Sequence, residues 1–290
     1  MGLAVFDIGG SAVKYGFWNE ETLTQQGQFK TPETFEEMKE NLKKVITSFE
    51  GEVEGEVEGV AMSAPGAAND VKREIEGISA VPYLHNRPIY DELESYLSLP
   101  VTIENDANCA GIAEIELGAG KDNQHVAFVV LGTGVGGSVF INRQIYKGAH
   151  LFGGEFGLMT NRTDRTFSSN GTIVKVADKY QRLTAEVVNG KDIFEKIDQA
   201  DPLALKLLND MYDNVANALY NIQVSMDPEL VIIGGGVSAR PEIADEIKMR
   251  LKWLLDEQGV SSILPEVRTC HFANDANLIG AAMNFYNKQK

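Results

Sequence analysis

Glu104-Asn105-Asp106-Ala107-Asn108 ends an apolar run and opens a helical one. Asp106 then stands at a helix amino terminus, where the backbone dipole favours the ionised carboxylate. A base so placed can take the proton of a hydroxyl as it attacks a phosphoryl group, with Asn105 hydrogen-bonding the same acceptor molecule. The residue types also allow a plainer reading, because Asp and Asn are preferred helix caps whatever the function. Asp7-Ile8-Gly9-Gly10-Ser11, with Lys14, sets a carboxylate at a strand end beside two glycines. Their exposed N–H groups can approach phosphate oxygens, and Asp7 suits a magnesium ion held through water. A simple hairpin with Asp7 as a strand-end cap is the alternative.

Gly132-Thr133-Gly134-Val135-Gly136-Gly137 repeats the device, and Thr133 adds a hydroxyl donor. Gly234-Gly235-Gly236-Val237-Ser238 lies between a strand and a helix, where backbone can approach a flat base or ribose. A tight turn capped by Ser238 would need no ligand. The spacing is not a dinucleotide fingerprint, and no P-loop lysine follows.

The elements that must position these residues are legible in outline. Leu3–Ile8 and Val13–Trp18 read as strands around the first glycine turn, and Val126–Leu131 and Ser138–Ile141 around the second. This repetition about 120 residues apart implies an internal duplication with two lobes, each bringing a glycine turn to one cleft. Thr34–Phe49 is an amphipathic helix with Thr34 and Glu37 as a capping box. Gly51–Glu58 reads as an exposed loop carrying a short repeat. Val60–Ser63 and Val101–Ile103 are strands, and Ile89–Leu97 and about Ala107–Leu117 are helices. Gly118-Ala119-Gly120 marks a hinge or boundary. Lys147–Asn170 is loop-rich, followed by helices over Pro202–Met226 and Pro241–Leu255, with the strand Leu230–Ile233 between them. Strands alternating with helices argue for an α/β fold. The division is expected at residues 1–117 and 118–276, with a helix over about 277–290 packing back on the first lobe.

The 290 residues carry 26 Lys and Arg against 42 Asp and Glu, a net charge of −16. Such a chain repels nucleic acid and anionic membranes, so a phosphorylated ligand must be held by backbone dipoles and magnesium. Cys109 and Cys270 are too few and too far apart for a disulfide framework or a cysteine-rich zinc site, and a reducing cytoplasm fits. No export, lipidation or membrane-spanning signal is expected in the sequence.

These segments, together with Ser63-Ala64-Pro65-Gly66, Gly153-Gly154-Glu155-Phe156-Gly157 and Leu278-Ile279-Gly280-Ala281-Ala282, resemble in order and spacing the ROK family of sugar kinases and sugar-responsive repressors. The resemblance covers nearly the whole chain and implies the two-lobed, actin-like ATPase fold. It implies Asp106 as catalytic base and Asn105, Glu155 and Gly66 as sugar-binding residues, with Tyr83 facing the sugar. Asp7, Gly9, Gly10, Ser11, Lys14, Gly132, Thr133 and Gly134 match the ATP phosphate and magnesium region, and Gly234, Gly235 and Gly236 the adenosine side. The implied reaction is transfer of the γ-phosphoryl group of ATP to a sugar hydroxyl. The expected acceptor is the 6-hydroxyl of a hexose, glucose or N-acetylmannosamine, or of a β-glucoside disaccharide. A homodimer is implied as well. A non-catalytic sugar sensor or a regulator is the alternative, and a repressor would need a DNA-binding segment ahead of the first strand.

Two departures are visible. Many relatives carry a zinc-binding His at the position of Leu158 and a CxCGxxGC segment where this chain has Thr166–Thr172, so no structural zinc is expected. A frequent Asn of the first lobe is Tyr83 here, which points to a rebuilt sugar pocket. The motifs look most like the zinc-free subgroup that includes β-glucoside kinase. Tyr83 or Phe156 would stack on a sugar face or simply line a wall. His85, His125, His150 and His271 fit no ligand spacing.

Overall fold

The structure is a computed structural model and describes residues 2–19, 22–52, 56–160, 165–240 and 242–289. Strands β1 (Gly2–Ile8), β2 (Ala12–Asn19) and β3 (Thr22–Lys30) form an antiparallel meander. Helix α1 (Phe35–Glu52) follows, then β4 (Val57–Ala64), the small hairpin β5 (Ala67–Asn69) and β6 (Glu74–Glu76), α2 (Ile89–Leu97), β7 (Val101–Asn105) and α3 (Asp106–Glu116). β4 and β7 join β1 in parallel, giving the order β3-β2-β1-β4-β7. β1 is buried along nearly its whole length, which explains its unbroken apolar run.

The chain then builds β8 (Val126–Leu131), β9 (Val135–Ile141) and the short β10 (Gln144–Ile145), again antiparallel. Helices α4 (Ile173–Thr184), α5 (Gly190–Asp198) and α6 (Pro202–Met226) precede β11 (Leu230–Gly234), α7 (Glu242–Glu257) and β12 (Glu266–Thr269). Their sheet has the order β10-β9-β8-β11-β12. Strand for strand this repeats the first sheet, so the duplication extends from the glycine turns to the full topology. Helix α8 (Ala276–Asn287) closes the chain.

The chain divides into two compact units, Met1–Glu116 with Ala149–Leu151 and Asn274–Lys290, and Leu117–Gly148 with Phe152–Ala273. Each has its own core. In the first, α1 lays Met38, Leu42, Ile46 and Phe49 against Phe6 and Phe17 of the sheet. In the second, Val129, Val231 and Ile233 pack with α6 and α7 residues such as Met211, Val215 and Ile247.

Several elements go beyond the sequence reading. β3 alternates exposed and half-buried residues at a sheet edge, so its polar sequence concealed it. β5, β6, β12, α4 and α5 were also unforeseen. α1 continues through Glu52, and β4 starts at Val57, which shortens the expected loop; residues 53–55 lie outside the described set, as does Pro241 at the expected start of α7. Gly118-Ala119-Gly120 comes just after the division between the units at Glu116 and Leu117, and the Ala119 carbonyl accepts from Arg268 Nη1 at 2.7 Å, within the second unit.

α8 crosses α3 at Gly280, where an added Cβ would sit 1.7 Å from the Cys109 carbonyl oxygen. Gly280→Ala must therefore push two helices apart, at a cost of about 2–3 kcal/mol. Gly236→Ala, with nothing within 4 Å of its Cβ position, should leave stability nearly unchanged. Thermal unfolding of the two variants checks the contrast.

Candidate active site

In the first unit the carboxyl ends of β1, β4 and β7 lie level, because Asp7 pairs in register with Ser63 and Ser63 with Glu104. Asp7 Oδ1 accepts from Ser63 Oγ at 2.7 Å and from Asn277 Nδ2, in the first turn of α8, at 3.0 Å. Neither donor takes Oδ2. A fixed carboxylate at a strand end is the hard oxygen donor that a hydrated magnesium ion uses, so the residue fits that role. Lys14 lies opposite Asp7 on β2. The turn between them is shaped by Gly9 N–H donating to the Ala12 carbonyl at 3.0 Å. Thr31 holds it from outside, its hydroxyl donating to the Gly9 carbonyl at 2.6 Å and its N–H to the Ser11 carbonyl at 3.2 Å. Gly10 and Ser11 are exposed at the tip.

The β7–α3 corner separates the two readings of Asp106. Asn105 Oδ1 accepts from the N–H groups of Ala107 at 2.9 Å and Asn108 at 3.2 Å, which makes Asn105 the helix cap. Asp106 is the first helical residue. Its carboxylate accepts from Ala107 N–H at 2.8 Å and is exposed. Cap and candidate base are therefore different residues. Beneath the corner, the buried Glu104 accepts from Asn105 N–H and from Asn108 Nδ2, both at 2.9 Å. The protein packed around Asp106 desolvates its carboxylate and raises its pKa, and the Asp7 charge acts in the same direction. The Ala107 N–H and the Asn105 side chain oppose this with hydrogen bonds, and the net direction is upward.

Gly66 stands next to Asn105, its carbonyl accepting from Asn105 Nδ2 at 3.0 Å. Its φ is +102°, and a Cβ would lie within 2.9 Å of His85, Ile75 and the Glu76 carbonyl, so both backbone and space require glycine. Asn105 thus spends its oxygen and one N–H on the backbone, and its amide also hydrogen-bonds the Asp106 carboxylate. Tyr83 donates its hydroxyl to the Pro32 carbonyl at 2.8 Å and packs its ring 6.3 Å from that of Phe35. Burial, with the charge of Glu37, pushes its pKa up to about 12. His85 shares a 2.7 Å hydrogen bond with Ser79 Oγ.

In the second unit the Gly132–Gly134 turn closes with Gly132 N–H donating to the Gly134 carbonyl at 2.9 Å, and Thr133 and Gly134 are exposed. The nearest atom to a Cβ on Gly132 would be 3.8 Å away. Parallel pairing of β8 with β11 brings Gly234 beside Val130, so the third glycine turn shares this sheet end. Gly235, with φ +90°, lies where a Cβ would be 2.4 Å from the Leu131 carbonyl, whereas the space at Gly236 is open. Open space above Gly132 and Gly236, on one sheet end, is a cradle that fits a nucleotide approached by backbone. Ser238 donates to the Gly235 carbonyl at 2.7 Å and so closes its own turn.

Glu155 is exposed at the start of a single helical turn, Phe156–Leu158. Phe156 is buried against β9, where a Cβ on Gly137 would meet its ring at 2.5 Å, so it is wall. Leu158 is 60% exposed. Where relatives place the zinc segment, Phe167 is buried in the core and Thr172 caps α4 by accepting from Lys175 N–H. Among the described residues no group of three or more His, Cys, Asp or Glu is arranged to hold a metal, and no helix is long and apolar enough to cross a membrane.

The ROK family profile matches residues 3–288. A β-glucoside kinase of Listeria innocua is 32% identical over 100% of this chain and 99% of its own. A ROK family protein from Streptococcus pneumoniae, solved in complex with sucrose, superposes with a TM-score of 0.91 at 31% identity, covering 100% of this chain and 99% of that one. A ROK family glucokinase from Streptomyces griseus, in complex with glucose and AMPPNP, gives 0.80 at 26% identity, covering 97% and 98%. The chain belongs to the ROK family, and its fold is the actin-like ATPase fold of those kinases.

Sequence reasoning named Asp7, Asn105 and Asp106 but missed what holds them: Ser63 and Asn277 on Asp7, Glu104 under the corner, and Thr31 on the first turn. Only Ser63 and Glu104 lay within quoted motifs. The division of labour at the corner predicts opposite effects on stability. Asn105→Ala should lose about 1 kcal/mol with the cap. Asp106 has a folded-state pKa above its unfolded one, so the folded chain binds that proton more tightly and loses stability as pH rises through the folded value. Asp106→Asn should therefore raise the melting temperature at pH 7, and the gain should vanish as pH falls below the ordinary aspartate range. Melting curves across pH check both.

Proposed function

We propose that this protein is an ATP-dependent sugar kinase that phosphorylates the 6-hydroxyl of a hexose or of a β-glucoside. The observation that carries this reading is the Asn105 cap, which leaves Asp106 at a helix amino terminus as an exposed carboxylate with a raised pKa. A base of that kind takes the proton of the sugar hydroxyl as its oxygen attacks the γ-phosphorus and ADP departs. Asn105 and Glu155 orient sugar hydroxyls. The N–H groups of Gly10 and Gly134, with Ser11, Thr133 and Lys14, receive phosphate oxygens, while Gly9 and Gly132 use their N–H groups to close the two turns, and Gly234–Gly236 border the adenosine. Asp7 would hold magnesium through water, and the ion supplies positive charge against the phosphates when bound.

The named activities of similar proteins support the kinase class, and a β-glucoside as substrate follows the β-glucoside kinases of Listeria innocua and Klebsiella pneumoniae, 32% and 30% identical. Tyr83, its hydroxyl engaged by Pro32, would offer an aromatic edge to the sugar rather than a hydrogen bond. Phe167 and Thr172 fix the segment from Thr166 to Thr172 by packing and capping, and zinc is not part of the proposed chemistry. A homodimer in the cytoplasm completes the reading. The likeness to a ROK transcriptional regulator, at 16% identity, concerns the fold alone.

ADP release measured with ATP, magnesium and a panel of glucose, N-acetylmannosamine, cellobiose and aryl β-glucosides tests the proposal. Asp106→Asn should keep sugar binding and lose turnover about 10²–10⁴-fold. In the wild type, kcat/KM should fall on the acid side with a midpoint above the ordinary aspartate range, because protonated Asp106 cannot accept a proton. Near-wild-type turnover in the variant would falsify the assignment.

A further inference from the structure

The second glycine turn has an anchor that the sequence motifs do not contain. β9 has β8 on one side, but on the other β10 pairs with Ile141 and Phe140, so among the described residues no strand lies beside the edge at Val135. Ser168 supplies both missing bonds. Its hydroxyl accepts from Val135 N–H at 2.9 Å and donates to the Val135 carbonyl at 3.3 Å. Val135 directly follows Gly134, and the Cβ position of Gly134 lies 3.4 Å from Ser168 Oγ. The turn closes with the Gly132 to Gly134 hydrogen bond and with the pairing of Val135 with Leu131 across β8 and β9, and Ser168 adds a second tie on the other edge of its exit.

Ser168 is itself held firmly. It sits in the helical turn Phe167–Ser169, between the core residue Phe167 and Ser169, whose hydroxyl donates to the Thr166 carbonyl at 2.7 Å. Phe167 N–H donates to the Met159 carbonyl at 2.7 Å. The segment carrying Glu155 closes on the same point. A Cβ on Gly157 would lie 2.0 Å from the Val135 carbonyl and 2.4 Å from Ser168 Oγ. One hydroxyl therefore joins the exit of the phosphate turn to the segment that presents Glu155.

We propose that Ser168 is a positioning residue for nucleotide: it fixes the direction of the Thr133 and Gly134 N–H groups and so sets how well the phosphates are held during transfer. The inference rests on the reading of that turn as a phosphate cradle. Losing both hydrogen bonds corresponds to roughly a tenfold effect on the step they serve, about 1.4 kcal/mol.

The test compares wild type, Ser168→Ala and Ser168→Cys in steady-state kinetics with ATP and sugar varied separately, together with calorimetric binding of AMPPNP. Expected for Ser168→Ala is a drop of about tenfold in kcat/KM for ATP, weaker AMPPNP binding and a sugar KM within twofold of wild type. Ser168→Cys, nearly the same size but a weaker hydrogen-bonding partner, should fall between the two and keeps the test usable if the alanine variant folds poorly. Unchanged ATP kinetics in a folded variant would overturn the proposal. So would a loss confined to melting temperature and active fraction with both KM values unmoved, the mark of a merely structural role. Wild-type protein that turns over sugar with ATP yet shows no effect at Ser168 rejects this inference alone. Wild type that binds no AMPPNP rejects the cradle reading and the inference together.

Discussion

The cap on α3 is the interaction from which the candidate chemistry follows. A helix amino terminus leaves N–H groups without partners, and some side chain must accept from them. Here Asn105 does so while Gly66 and Glu104 hold Asn105 in place. Asp106 inherits the electrostatic benefit of the helix end without being consumed by it. Packing then raises its pKa, and the helix dipole keeps the charged form within reach, a compromise suited to a group that must gain and release a proton.

The two units apply one topology to different tasks. Both sheets run meander, then two parallel strands, and both place a glycine turn after the first strand. In the first unit the carboxyl ends of the three parallel strands carry Asp7, Ser63 and the Asn105–Asp106 corner. In the second, the corresponding ends carry glycines at Gly132–Gly134 and Gly234–Gly236, where bare backbone faces open space. Even the anchoring of the turns differs, with Thr31 serving the first and Ser168 the second. A protein with a net charge of −16 has no field that attracts phosphate, so in the proposed reading N–H groups beside such anchors do that work locally.

The described residues from Phe156 to Thr172 are held by ordinary packing. Phe167 enters the core, Thr172 caps α4, and Leu158 stands exposed beside the segment of Glu155. Close glycine contacts at Gly153, Gly154 and Gly157 against neighbouring backbone hold the adjoining segment. The same glycines are the ones that make the motif recognisable in the sequence.

What the sequence determined by itself was the set of strongly apolar or glycine-marked features. β1, β8 and β11 are buried strands that must be apolar throughout, and glycine turns tolerate few alternatives, so these left an unmistakable pattern. The motifs also offered Asp7, Asn105, Asp106 and Glu155 as candidates. The tertiary structure alone decided which residue caps α3, because Asn and Asp are nearly equal as caps and only the direction of each side chain distinguishes them. It alone revealed β3, a polar edge strand defined by its neighbour, and the partners Thr31, Asn277 and Ser168, which lie 22 to 270 residues from the groups they hold. Hydrogen bonds made across such distances leave no local periodicity, and the fold that brings the partners together is the only place where they can be read.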